Sequence, residues 1–194
     1  MDDKNGEMTD RDTANEGVRA LLRLRGQDPS REGLEDTPRR VLQAYLDLRR
    51  DWREPSEPLG HVFKADAAGS KLTSVNGIPC SSLCEHHLMP FTGVAHVAYL
   101  PTKDAVVGLS KIPRLVQHIA VRPQMQERMT QSICEMIVGG LAPEGDACLL
   151  KGVHTCMTFR GAKSVGAKML TMHFTGCFRE GPLADPFLGL VRQS

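Results

Sequence analysis

The chain has no apolar run near the length of a membrane span. Its start, Met1-Asp2-Asp3-Lys4, lacks the apolar core of a secretory signal. Charge of either sign is not in excess: 24 basic residues face 23 acidic ones, for a net charge of +1. Nothing global therefore points to nucleic acid or to an anionic membrane surface, and local basic clusters matter more than the total. No internal repeat is present, which sets aside solenoids and propellers. What remains is a globular chain of 194 residues, 41% hydrophobic, long enough for one sizeable core and expected in the cytoplasm. In a reducing compartment the six cysteines are free or metal-bound rather than paired.

The polar stretch over residues 1–14 has no apolar rhythm and is expected to be a flexible tail. A helical region is expected over 15–60. Val18, Leu21, Leu22 and Arg25 share one side of a helix from about Glu16 to Arg25, and Gly26 stops it. Thr37-Pro38 supplies an N-cap and first turn, with Val41, Leu42, Tyr45 and Leu46 on one helical face. The proline-rich, charged run Glu54 to Leu59 is a connector.

From Lys71 onward the texture turns to β, and residues 61–194 form the expected catalytic domain. Val94 to Leu100 is an apolar strand bounded by Gly93 and Pro101. Ser110 is expected to cap a helix whose Ile112, Leu115, Val116, Ile119 and Ala120 fall at helical spacing. Pro123 is expected to open another, with Met125, Met129, Ile133, Met136 and Ile137 inward and Gly139-Gly140 at its end. Strands over Ala147–Arg160 and Lys168–Phe178 follow. The order predicts an α+β fold with an antiparallel sheet.

The chemistry concentrates at Cys84-Glu85-His86-His87 and Val153-His154-Thr155-Cys156. Thiolate and imidazole together suit zinc, a borderline-soft ion. Cys84 and His87 are three apart and reach one ion across a tight turn, and Cys156 adds the third ligand. Three protein ligands leave a coordination position for water, as catalytic zinc sites do. His86 and His154 are then available to move protons near neutral pH. If the strand runs through residue 160, His154, Cys156, Thr158 and Arg160 share one face, each about 7 Å from the next. Taken alone, a Cys-x-x-His is common by chance. Cys134, Cys148 and Cys177 read as core filling and Cys80 as a bystander. His61, His96, His118 and His173 read as surface or ordinary packed histidines.

Gly108 to Arg114 is the second cluster. Ser110, Lys111 and Arg114 at a helix start form a phosphate cradle or, equally, a solvated basic turn. Arg40 and Arg160 add charge if the fold brings them close. Glu127 projects off the apolar face of its helix, and a carboxylate there accepts two N–H bonds from one heterocyclic edge; exposed helical glutamates are usually only solvated.

Taken together, Asp36-Thr37-Pro38-Arg39-Arg40-Val41, Ser82 to His87, Val97 to Pro101, Gly108 to Ile112, Arg122 to Arg128 and His154 to Met157 with Arg160-Gly161 resemble GTP cyclohydrolase I, in the family's order. The resemblance implies hydrolysis of GTP at guanine C8, formate release and closure to 7,8-dihydroneopterin triphosphate, a first step toward folates, other pterins or 7-deazapurines. It implies zinc on Cys84, His87 and Cys156, proton handling by His86 and His154, and guanine recognition by Glu127. Ser110, Lys111, Arg114, Arg160 and Arg40 would hold the triphosphate. The implied fold is the T-fold, a four-stranded antiparallel sheet with two long helices on one side. The implied assembly is a homodecamer with shared active sites, with neither nucleic acid nor membrane as partner. Lys151-Gly152, where the family often has an acidic residue three before the histidine, and the segment Ser164 to Phe174 depart from the usual pattern. A non-catalytic zinc-binding relative and a T-fold enzyme acting on a pterin or deazaguanine are the rivals. Retention of His86 and His154 speaks against the first, and the zinc trio against the second.

Overall fold

The computed structural model describes residues 9–48, 59–60, 62–64, 72–102 and 105–194. The chain divides into two compact units, Met1–Arg50 and Asp51–Ser194.

In the first unit, helix α1 (Asp10–Leu24) begins earlier than about Glu16, where the apolar rhythm begins. The reason is a reciprocal cap: the Asp12 backbone N–H donates to Thr9 Oγ1, and the Thr9 backbone N–H donates to the Asp12 carboxylate. Capping residues are polar, so a scan for hydrophobic periodicity passes over them. Gly26, at φ 70°, follows the helix as expected. Helix α2 (Thr37–Leu48) starts at Thr37-Pro38 with Pro38 buried. Of the connector expected over 54–59, all but Leu59 lies outside the described residues.

The second unit is built on an antiparallel sheet. A short pair, β1 (Val62–Lys64) with β4 (Ala105–Val107), stands apart. The main sheet has four strands in the order β2 (Thr73–Leu83), β3 (Pro90–Leu100), β5 (Gly145–His154) and β6 (Met169–Phe174), all antiparallel. A bulge between Val75 and Ile78 accommodates Gly77 at φ 72°. Between β4 and β5 come α3 (Lys111–Ala120) and α4 (Gln126–Leu141). Alternation sorts the sheet faces. Phe91, Ala95, Val97 and Tyr99 of β3, with Cys148 and Leu150 of β5, join Ile112, Leu115, Val116, Met129, Ile133 and Ile137 of the two helices in one buried core. Ala98, Ala147 and Leu149 form a smaller core with Phe178 and Phe187, from α6 (Gly176–Arg179) and α7 (Ala184–Arg192).

Several element ends differ from the sequence expectation. Ser110 stands at the N-cap of α3, but its side chain makes no capping hydrogen bond. All five inward residues expected for that helix are buried. Pro123 does not open α4, because the next residue is held as backbone: Gln124 N–H donates to Leu83 O, and Gln124 O accepts from Glu85 N–H. The helix starts at Gln126, and Met125 is exposed rather than inward. It also runs past Gly139-Gly140 to Leu141, ending at Ala142 in the left-handed region at φ 43°. The strand expected over 147–160 stops at His154, where a four-residue helical turn, α5 (Thr155–Thr158), begins. On β3, His154 pairs with Phe91, and the next partner would be Pro90, which has no N–H to donate. Thr155 Oγ1 bonds the Pro90 carbonyl instead, at 2.6 Å. Cys156, Thr158 and Arg160 therefore do not share a strand face with His154. The last strand likewise ends at Phe174, short of Phe178.

Asp146 is fully buried, with Oδ1 accepting from the Thr175 hydroxyl and Oδ2 without a hydrogen-bond partner among the described residues. Burial pushes its carboxyl up from 3.8 to about 6. The folded chain then holds a proton that the unfolded chain has lost between those values, so stability falls as pH rises through that window. Asp146→Asn keeps an acceptor for Thr175 and removes the charge. Chemical denaturation should show it more stable than wild type at pH 7.5 by on the order of 2 kcal/mol, with the difference closing below about pH 4. Ala142→Gly should add about 0.5–1 kcal/mol, since glycine adopts the left-handed helix end without the Cβ penalty, and a thermal melt reads it directly.

Candidate metal and substrate site

Four local structures converge at one end of the sheet. The turn after β2 carries Cys84, Glu85, His86 and His87. It is closed by Leu88 N–H donating to Cys84 O and Cys84 N–H donating to Met89 O, each at 2.8 Å. Leu88 takes φ 51° to make that turn. The segment before α4 runs alongside, bridged in parallel at Cys84 and Gln124. Arg128 on the first turn of α4 donates to Glu85, holding that carboxyl below the usual carboxylate range. The end of β5 brings His154 and α5 brings Cys156.

Cys84, His154 and Cys156 each place a ligand atom within 4.8 Å of the others. His87 borders this trio, its Nδ1 lying 3.6 Å from Cys84 Sγ. A tetrahedral zinc at ordinary Zn–S and Zn–N lengths sets sulfur and nitrogen about 3.6 Å apart, so this separation fits a shared ion. Two imidazoles thus flank one thiol pair, where the sequence expectation assigned His87 alone as the nitrogen ligand. Burial and the adjacent Cys84 thiol push the Cys156 thiol up, while the charge on Arg160 opposes them. A cation reverses that balance, because coordination favours the thiolate. The donor set fits a borderline-soft divalent ion.

Around the cluster opens a cavity of about 450 Å³ lined by Cys84, His86, His87, Glu127, His154 and Cys156 among others. The His86 and His87 rings stand edge to face with centroids 6.2 Å apart. His154 is buried and stacks on Phe91, centroids 4.3 Å apart and planes 12° from parallel. Burial pulls the pKa of its imidazole down, and the Glu127 carboxylate works the other way. Glu127 is exposed on the first turn of α4 and faces this space.

The basic residues are dispersed. Ser110, Lys111 and Arg114 sit at the start of α3 and are not part of the cavity wall. The Lys111 ammonium lies over Gly60, close to where a Cβ would stand. Arg160 is exposed and near enough to Cys156 to act on its thiol. Arg40 belongs to the first unit, where it pairs with Asp36 at 3.0 Å. Of the bystander histidines, His96 is buried and within 3.3 Å of Ser194 Oγ, and His61 lies outside the described residues. All six cysteines are free.

Gln126 is the residue that motif reading missed. It is 1% exposed and hydrogen-bonds His154 Nε2 through Oε1 at 2.9 Å. A signal for it exists: with Met129, Thr130, Ile133, Cys134 and Ile137 it lies on the inward face of α4, where an amide requires partners.

Among the described residues no helix is long and apolar enough to cross a membrane. The family model for GTP cyclohydrolase I matches residues 14–191. The GTP cyclohydrolase 1 of Dehalococcoides mccartyi is 40% identical over 189 residues, 96% of this chain and 99% of that protein. That of Thermoanaerobacter pseudethanolicus is 42% identical over 172 residues, covering 89% and 91%. That of Bacillus cytotoxicus is 47% identical over 160 residues, covering 82% and 84%. The solved apo structure of the archaeosine synthase QueF-Like aligns at TM-score 0.46 and 14% identity over 56% of this chain and 97% of that one, a likeness too slight to add anything. With its thiol–imidazole cluster, its cavity and relatives matched nearly end to end, the chain belongs to the GTP cyclohydrolase I family.

Proposed function

We propose that this GTP cyclohydrolase opens the guanine of GTP at C8 in the cavity around Cys84 and Cys156, releases formate and yields 7,8-dihydroneopterin triphosphate. One observation carries the reading: a single cavity gathers both thiols, three imidazoles and the Glu127 carboxylate. Residues 61–194 act as the catalytic domain, and the four-stranded sheet with α3 and α4 is its T-fold. The chain works in the cytoplasm, where its thiols stay reduced.

Cys84, Cys156 and His87 hold zinc. When bound, that ion supplies Lewis acidity and a solvent molecule acidified toward neutral pH. Glu127 accepts the ring N–H and exocyclic amine of guanine and fixes the base. His154 takes up a proton at its free ring nitrogen and passes it to N7, which makes C8 more electrophilic. His86 delivers one to the ribose ring oxygen as the sugar opens. Arg160, beside Cys156, takes one end of the triphosphate. Ser110, Lys111, Arg114 and Arg40 complete the phosphate site from neighbouring copies in a homodecamer, consistent with Ser110, Lys111 and Arg114 standing apart from this chain's own cavity wall.

A second reading makes His154 the nitrogen ligand, favoured by its ligand atom lying within 4.8 Å of both sulfurs. Metal content separates the two. His87→Ala should lose zinc, whereas His154→Ala should keep it and lose about 10²–10⁴ in kcat. The opposite pattern of zinc loss exchanges their roles, and zinc-loaded His154→Ala at wild-type turnover removes the proton role. Cys84→Ser or Cys156→Ser should abolish zinc and turnover together. Incubation with GTP should release formate and a product fluorescent after oxidation, and a chelator should stop both. Glu127→Gln should lower kcat/KM by about 10–100-fold, since one oxygen acceptor becomes a donor facing donors.

A further inference from the structure

Gln126 carries more hydrogen bonds than any role in reading a substrate would leave free. Its Nε2 lies 3.0 Å from Leu150 O, 3.1 Å from Met169 O and 3.1 Å from Thr171 Oγ1. Two N–H protons are shared among those three acceptors. The directions in this network are determined. Thr130 Oγ1 donates its one proton to the main-chain carbonyl of Gln126 at 2.8 Å. The 2.6 Å bond between Thr130 and Thr171 is therefore donated by Thr171. Thr171 then has only lone pairs to offer Gln126. Reversing the amide would aim Oε1 at two carbonyls and a hydroxyl with no proton left, an arrangement of oxygens only. Oε1 must face His154, and an oxygen there can only accept.

The side chain also has a slot made for it. Gly152, on the inward face of β5 and paired with Met169, leaves open the space that a Cβ would take from Gln126 Oε1. Phe91 stacked on the imidazole fixes the ring plane. The ring is clamped in plane and in azimuth, with one nitrogen spoken for.

From this network we infer that Gln126 is a positioning residue that locks His154 as the Nε2–H tautomer, so that Nδ1 alone keeps a lone pair for the reaction. Gly152 and the Thr130–Thr171 pair hold Gln126 in the orientation that does so. Gln126 touches neither substrate nor metal in this role. Its amide is spent on the protein, which leaves base recognition to Glu127. The inference rests on the reading of His154 as a proton handler for its effect on rate, but not for its statement about the tautomer.

Magic-angle-spinning spectra of the zinc-loaded protein labelled with ¹³C,¹⁵N-histidine read the tautomer without turnover, with His154 assigned by its loss in His154→Ala. Wild type should show a protonated Nε2 and an unprotonated Nδ1. A neutral His154 protonated at Nδ1 in wild type overturns the inference. Gln126→Leu should mix the tautomers and lower kcat by about 10–100-fold, with KM for GTP and zinc content within about twofold of wild type. Thr171→Val, which leaves both carbonyl anchors in place, should shift the spectrum the same way to a smaller extent. Unchanged spectra in both variants overturn the inference. Should His154→Ala retain full turnover, the proton role fails while the tautomer result stands, so the two ideas fail separately.

Discussion

The site depends on β5 losing its hydrogen-bond partner after His154. Opposite Phe91 the ladder is intact. One residue on, Pro90 offers a carbonyl but no N–H, and Thr155 takes that carbonyl with its side chain. The main chain coils into α5 and swings Cys156 toward Cys84. A strand carried through Arg160 would have spread His154, Cys156 and Arg160 along about 20 Å of one face. The early stop compresses an imidazole and a thiol into one coordination volume. The same break leaves His154 at the inner edge of the sheet, where Phe91 and Gln126 reach it.

Burial explains the division of labour among the polar groups. His154 and Gln126 are inside, so each must satisfy its polar atoms through the protein, and doing so fixes their orientation. His86, His87 and Glu127 are exposed along the cavity, so packing constrains them less. The rigid half of the site is supplied by buried side chains of α4 and the sheet, and the more open half by the turn after β2 and by Glu127. Such a pairing suits the proposed chemistry, in which one proton carrier must be exact in angle while the purine enters from solvent.

Much of this was legible in the residues. The inward face of α3 is read directly from its spacing, because burial and helical period agree there. Cys84 and Cys156 stood out because paired thiols beside imidazoles have few other uses in a reduced chain. The end of β5 and the start of α4 were misjudged for one reason: the deciding contacts are long-range, unlike the local cap that starts α1. The end of β5 is set by Pro90, some sixty-five residues earlier in the chain. The start of α4 is set by Leu83 and Glu85 holding Gln124. Gln126 was overlooked because glutamine belongs to no common catalytic motif. Only its position among Met129, Thr130 and Ile133 marks it, and that requires asking what a buried amide bonds to.

The Glu85–Arg128 pair ties the turn bearing Cys84, His86 and His87 to the helix bearing Gln126 and Glu127. The proposed metal ligation, proton delivery and purine reading therefore ride on two joined stretches of backbone. The backbone bridge at Cys84 and Gln124 joins the same two segments, so a substitution that tilts the amino end of α4 also moves the turn. If Glu127 reads the base as proposed, substrate range and chemical competence are coupled through this junction, and a lineage drifting toward another purine changes both together.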